Sequence, residues 1–382
     1  MEIEAVLDFI NAKIDRIIEE TIEISQISAP TFQEEKRANH IQQKLEEFGA
    51  TKIRKDEVGN VIASYRVDPT ASTVMIAAHL DTVFNEEVDL QVTREDPIVA
   101  APGICDNSLG LEGLLVVAKV LNKFNIELGY NLILAATVGE EGLGNLKGMT
   151  QLMEDYEEKV DEVIALEGDG LGRVTNQAIG SSRWRVKFKA TGGHSWSDFG
   201  QPSAIHTMSK AIAALNDFKL PNNKKTTYNV GKVSGGRTIN TIAQEAEMLW
   251  EVRSLESNYL EQVVKEFKDI IKGIANKDKV KTEFELIGER PAGRISSEHE
   301  LIKIISQTHK ELGIESKYEA ASTDGNLPLN LGIPAVTIGL TRGDNIHRED
   351  EYMEIEPVKL GLKQLLLIID KLNNRGEINE ED

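Results

Sequence analysis

Seven residues with chemistry-bearing side chains stand at or just after apolar runs. The run Val74-Met75-Ile76 leads into His79-Leu80-Asp81, and Asn131–Val138 leads into Glu140-Glu141. Val163–Leu166 leads into Glu167, Asp106 follows Pro102-Gly103, and His347 comes late in the chain. Strand side chains repeat every second residue, so His79 and Asp81 share a face. By itself His-x-Asp is weak evidence, because a polar pair in a loop looks the same. The recurrence of acidic residues after further apolar runs raises its weight. Five carboxylates gathered at one sheet edge would repel one another unless cations sat among them. Two imidazoles with several carboxylates form a donor set suited to Zn²⁺, with Mn²⁺ or Co²⁺ as alternatives. Two such ions, roughly 3.5–4 Å apart and bridged by a carboxylate and a water, fit that inventory. In a Glu-Glu pair one carboxylate then binds metal and the other takes a proton from water.

The elements that must carry these residues are legible from periodicity. Residues 2–26 read as an amphipathic helix broken at Pro30. Thr31 with Glu34 reads as a capping box for a second helix that ends at Gly49. Strands are expected near Lys52–Lys55 and Val61–Tyr65, and a loop at 101–108 opens into a helix through Leu121. Strands alternating with helices, with polar residues at the strand ends, give an α/β fold with its site at one edge of a central mixed sheet flanked by helices. Near Ser181 the pattern changes to alternating polar and apolar residues. The order strand-helix-strand-strand-helix-strand predicts an inserted α+β sandwich domain, a lid or dimerisation module. The expected division is 1–181 for the first part of the catalytic domain, 182–290 for the insertion and 291–382 for the second part. His40, His299 and His309 fall on predicted helices or at their starts and read as surface residues. The acidic tail Glu377–Asp382 reads as a frayed end.

Composition narrows the function classes. The chain has 382 residues and a formal charge of −20, which argues against nucleic acid and anionic membrane surfaces as partners. A single cysteine, Cys105, excludes an intrachain disulfide and a thiolate zinc cluster. The start Met1-Glu2-Ile3-Glu4 lacks the pattern of a signal peptide, and no run approaches ~18 apolar residues, so a cytoplasmic location is expected. The stretch Gly168-Asp-Gly170-Leu-Gly172 follows a strand but precedes extended residues rather than a helix, so it is not a dinucleotide loop.

Taken together, His79-Leu-Asp81, Gly103-Ile-Cys-Asp106-Asn107-Ser-Leu-Gly110, Gly139-Glu140-Glu141-Gly142-Leu-Gly144, Glu167-Gly168 and Gly193-His194-Ser195 resemble the dinuclear-zinc exopeptidase and deacylase family. That family includes tripeptidases of the peptidase T type, carboxypeptidase G, aminoacylase, acetylornithine deacetylase and succinyl-diaminopimelate desuccinylase. The resemblance covers essentially the whole chain and is nearest in character to the tripeptide aminopeptidases. It implies two divalent metal ions per chain, with Asp106 bridging them through a cis Asp106-Asn107 peptide. His79 and Glu167 would complete one ion, Glu141 and His347 the other. Asp81 would orient His79, and Glu140 would act as general base and then acid. His194, in the inserted domain, would polarise the scissile carbonyl. Asn240, Arg290 and Ser322 would hold the substrate carboxylate, with Arg237, Arg253 and Arg294 as competitors of Arg290. The implied reaction is cleavage of an amide at the end of a small peptide by a homodimer formed through the inserted domain. The alternatives are an N-acyl amino acid deacylase or dipeptidase with the same site, and, more remotely, an inactive metal-binding regulatory protein. Two departures stand out: Ser195-Trp196-Ser197-Asp198-Phe199 is bulkier than the family's usual residues here, and the Ser322-Thr323-Asp324 loop lacks a glycine run.

Overall fold

A computed structural model describes residues 3–220 and 225–375; the tail Glu377–Asp382 lies outside the described residues. The strand Thr73–His79 is buried at all seven positions, as expected of a strand covered on both faces. It lies parallel between Asn131–Thr137 and Glu162–Glu167. Ala335–Gly339 continues the parallel set beyond Glu162–Glu167. Antiparallel strands flank this centre: Val61–Tyr65 and Ile53–Lys55 on one side, Arg173–Ala178 on the other. Lys317–Ala321 adds in parallel to Arg173–Ala178. The sheet is therefore mixed, with parallel strands at its centre.

Parallel strands need crossovers: the helix Gly110–Lys123 lies between Thr73–His79 and its neighbour Asn131–Thr137, and Lys147–Tyr156 between Asn131–Thr137 and Glu162–Glu167 on the far side of Thr73–His79. Period-two alternation splits the core between the faces. Ile76 and Leu134 pack on one side with the helices Ile3–Ser25, Gly110–Lys123 and Ile355–Asn373. Met75, Ala77 and Ile133 pack on the other with Met149, Leu152 and Leu329. The register sets His79 against Thr137, and Gly339 against Glu167, so the parallel strands end together. The segments that follow those ends carry the acidic residues.

Three local expectations are corrected. The second helix begins at Glu35, with Glu34 at its N-cap and no side-chain capping bond. Thr31 instead donates to Asp81 Oδ2 at 2.9 Å, and Glu34 Oε1 accepts the amides of Phe32 and Gly139 at 2.9 and 3.1 Å. The capping-box spacing is met, but the helix starts four residues after Thr31, and strand-end groups provide other partners for both side chains. The 101–108 loop contains a distorted helical turn, Ile104–Leu109; the cis Asp106-Asn107 peptide inside it is the one the resemblance implies. His309 is not at the surface: it is fully buried, with Nδ1 2.7 Å from Ser316 Oγ and Nε2 2.7 Å from Gln364 Oε1. It lies four residues beyond Ile305 on the buried face of Glu300–Leu312, where a polar ring is tolerated because both nitrogens are bonded.

The chain divides into two compact units, Met1–Ala178 with Arg294–Asp382, and Ile179–Gly293. The second unit is a four-stranded antiparallel sheet in the order Thr226–Gly235, Glu245–Ser254, Gly180–Lys189, Lys281–Arg290. Strict alternation of burial along Glu245–Ser254 marks one covered face. The helices Ala204–Asn216 and Ser257–Lys277 pack on it, with Phe267 against Trp250 at 5.4 Å between ring centroids. Among the described residues no helix is long and apolar enough to cross a membrane.

Candidate metal centre

The first unit brings His79, Asp81, Asp106, Glu140, Glu141, Glu167 and His347 together. His79 ends its strand, buried, with Nε2 2.9 Å from Asp106 Oδ1 and 3.6 Å from Glu167 Oε2. The other oxygen of Asp106 faces the second imidazole, with Oδ2 3.1 Å from His347 Nε2. That same Nε2 is 3.0 Å from Glu141 Oε1. Asp106 thus divides one carboxylate between two imidazoles.

Three sets of donor atoms each lie within 4.8 Å of one another: His79, Asp106 and Glu167; Asp106, Glu141 and His347; and His79, Glu140 and Glu141. Asp169, the sequence competitor of Glu167, is engaged elsewhere, accepting from the Gly343 amide at 3.0 Å and from Arg173 at 3.2 Å.

Backbone hydrogen bonds place these side chains. Asp81 Oδ1 accepts the amide of Glu140 and Oδ2 that of Glu141, each at 2.9 Å. The ring of His79 is held chiefly by main chain: Nδ1 donates to the Asp81 carbonyl at 3.0 Å, while the Asp81 carboxylate is 3.7 Å away. Gly139, at φ +65°, provides the turn from the strand into the Glu-Glu pair. Gly168 is required by close approach, because a Cβ there would sit 1.9 Å from the Cys105 carbonyl oxygen. Asn107 ties the Asp106 loop down, donating to the Leu166 carbonyl at 2.8 Å and accepting the Gly110 amide at 3.1 Å.

The electrostatics carry the mark of crowded acid. Hydrogen bonds to Asp106 and Glu141 lift the His347 imidazole to about 10. Burial pulls His79 down, but the bond to Asp106 and the nearby carboxylates of Asp81 and Glu167 outweigh it and hold the ring well above the usual imidazole value. Burial pushes the Asp106 carboxyl up, yet both imidazoles together hold it below the usual range. Burial dominates at Glu167, which rises to about 7 against the pull of His79. Protons on the two imidazoles therefore provide positive charge among the carboxylates. Divalent cations would supply more of it, and the nitrogen and oxygen donors fit Zn²⁺, Mn²⁺ or Co²⁺.

The remaining sequence-derived residues divide between the two units. Ser322 belongs to the first unit, and its Oγ is 3.5 Å from Asn326 Nδ2. Its loop is tied to the central sheet through Asp324, which accepts from Thr137 at 2.6 Å. His194, Asn240 and Arg290 belong to the inserted unit. There His194 pairs with Thr241, and the Ser195 amide donates to the Asn240 carbonyl at 3.0 Å. His194 Nδ1 accepts the Trp196 amide at 3.2 Å, and the side chain is exposed. Arg290 is buried at the end of its strand. Sequence reasoning missed Glu351 and gave Glu34 a different role; both are buried carboxylates that bond backbone amides in the ligand-bearing loops. Nothing in the string Glu349-Asp350-Glu351 distinguishes the third acid from its neighbours.

Known proteins share this arrangement of chain. The Bacillus subtilis protein YqjE is 25% identical over 373 residues, covering 93% of this chain and 98% of the relative. An N-formyl-4-amino-5-aminomethyl-2-methylpyrimidine deformylase from Halalkalibacterium halodurans is 23% identical over 355 residues, 81% of this chain and 80% of its own. The crystal structure of a Staphylococcus aureus tripeptidase superposes with a TM-score of 0.81 at 24% identity, covering 94% of this chain and 99% of that one. The model of peptidase family M20/M25/M40 matches residues 75–371, a span that runs from the His79 strand to the last helix and takes in each residue of the metal cluster. With that span and that cluster, the chain belongs to peptidase family M20/M25/M40 and is a metallo-hydrolase.

Proposed function

We propose that the protein is a dinuclear aminopeptidase that cleaves the terminal amide of small peptides, with tripeptidase-like preference. The observation that supports it most is the divided carboxylate of Asp106, 2.9 Å from one imidazole and 3.1 Å from the other. In this reading His79, Asp106 and Glu167 hold one divalent ion, and Asp106, Glu141 and His347 hold the second. The ions would be Zn²⁺, with Mn²⁺ or Co²⁺ as alternatives. When bound they would lower the pKa of water from about 15.7 towards ~7 and polarise the scissile carbonyl.

The chain's own residues do the rest. Glu140 takes the proton of the attacking water and passes it to the leaving amine. Its amide is anchored on Asp81, which fixes the start of the Glu-Glu turn. His194 donates to the developing oxyanion. Asn240, Arg290 and Ser322 hold the substrate carboxylate, so that binding energy orients the amide. The inserted unit also serves as the homodimer contact, a role suited to Trp196 and Phe199, which are 87% and 90% exposed. The protein works in the cytoplasm, without nucleic-acid or membrane partners.

A second reading keeps the site and changes the substrate: an N-acyl amino acid deacylase or a dipeptidase. The similarity to a deformylase favours it over more distant alternatives. An inactive regulatory role fits poorly, because the base and each expected ligand type are in the cluster. The test is metal content together with hydrolysis of a tripeptide, its N-acetylated form and an N-acetyl amino acid, before and after chelation. Two metals per chain and chelator-sensitive cleavage of the free tripeptide alone are the expected result. Cleavage of only the acylated substrates would move the enzyme to the deacylases, and no metal with no cleavage would overturn the reading.

A further inference from the structure

Glu351 is fully buried and four residues beyond His347. Its Oε1 accepts the amides of Cys105 at 2.8 Å and Asp106 at 2.9 Å, and its Oε2 accepts that of Gly103 at 3.3 Å. Its main-chain carbonyl accepts the amide of Ala101 at 3.0 Å. One residue thus grips four amides within the six residues that end at Asp106. The grip continues into the neighbouring pairing of Tyr352–Glu354 with Ile98–Ala100. A buried carboxylate is tolerated only when its oxygens are bonded, and here each oxygen is bonded to a backbone amide. Glu351 is not in any of the donor groups around Asp106. Its neighbours Glu349 and Asp350 are exposed.

We propose that Glu351 is a positioning residue for the metal centre: its amide clamp joins the Asp106 turn to the His347 loop, so that the two ligands reach one ion together. The joining is physical and local. The Asp106 amide held by Glu351 belongs to the residue whose carboxylate is divided between His79 and His347. His347 in turn lies on the segment that Glu351 terminates. Without the clamp both ligand segments keep their sequence but lose their shared register. The inference rests on the metal-centre reading above.

The experiment compares Zn²⁺ affinity by chelator competition for the parent, E351A, E351Q and the exposed control E349Q. The Co²⁺ absorption spectrum and the melting temperature of each metal-free protein are recorded alongside. E351A is expected to bind Zn²⁺ about 10–100-fold more weakly, the usual effect of losing a group that orients ligands. E351Q should fall between, because one oxygen still accepts while its amide group opposes an N–H donor. The Co²⁺ spectrum should change in both, and E349Q should match the parent. If E351A does not fold, E351Q decides. A parent that takes up no Zn²⁺ overturns the metal-centre reading and this inference with it. A parent that binds while both Glu351 variants bind equally well overturns the inference alone. So does an affinity loss no greater than that of a core truncation such as Ile369→Ala with the same loss of melting temperature.

Discussion

The amide of Glu140 donates to Asp81 Oδ1 at 2.9 Å, across 59 residues of chain. Asp81 therefore acts on two neighbours at once, because its main-chain carbonyl also receives Nδ1 of His79 at 3.0 Å. Its Oδ2 takes the Glu141 amide and the Thr31 hydroxyl, each at 2.9 Å. Replacing Asp81 with Ala leaves two buried amides without an acceptor, at about 1–3 kcal/mol each. D81A should lower the melting temperature and reduce turnover by about 10–100-fold. Thr31→Val, which removes one donor, should do less. Calorimetry of the metal-free protein and steady-state kinetics check both, and parental activity in D81A would count against the role.

Glu140 carries the proton transfers in the proposed reaction. E140Q should lower kcat by about 10²–10⁴-fold, the usual range for a positioned general base. Metal content should remain at the parental value, measured by elemental analysis. A variant with parental kcat would remove Glu140 from the mechanism.

Metal uptake should release protons. Bonds to Asp106 and Glu141 hold His347 up to about 10, so near pH 7 the metal-free ring is protonated and a cation must displace that proton. Affinity should rise about tenfold per pH unit for each proton displaced below its pKa. Titration in buffers of different ionisation enthalpy measures the count, and a pH-independent affinity would contradict it. The metal-free fold should behave oppositely. A folded pKa raised above the unfolded value stabilises fully below about 6.5, and that stability is lost as pH rises through about 10. The His347 side chain is 52% exposed, so the effect is screened and small.

His309 gives an acid-side dependence remote from the metals. Burial lowers its pKa, so the folded protein disfavours the proton that the unfolded chain accepts near 6.5. Its stabilisation is present above that value and is lost as pH falls. His309→Gln should flatten the decline in melting temperature between about pH 7 and pH 5. An unchanged slope would show that the Ser316–His309–Gln364 chain does not govern that limb.

The sequence by itself determined the elements and the places where chemistry had to fall. Apolar runs such as Val74-Met75-Ile76 and Asn131–Val138 specify buried strands, and their polar ends mark a sheet edge, because both signals are local and periodic. It misjudged side chains whose partners are remote. Thr31 and Glu34 fit a capping box by spacing, yet they bond Asp81 and the Gly139 amide. His309 on a helix looked solvent-facing until Ser316 and Gln364 closed around it. The family motifs implied that Asp106 stands between His79 and His347, and it does; only the tertiary structure decided that Glu351 reaches the Asp106 amide across 245 residues. Periodicity records which face of a strand or helix is buried. Which loop meets which is set by strand order and loop packing, and no local pattern encodes it.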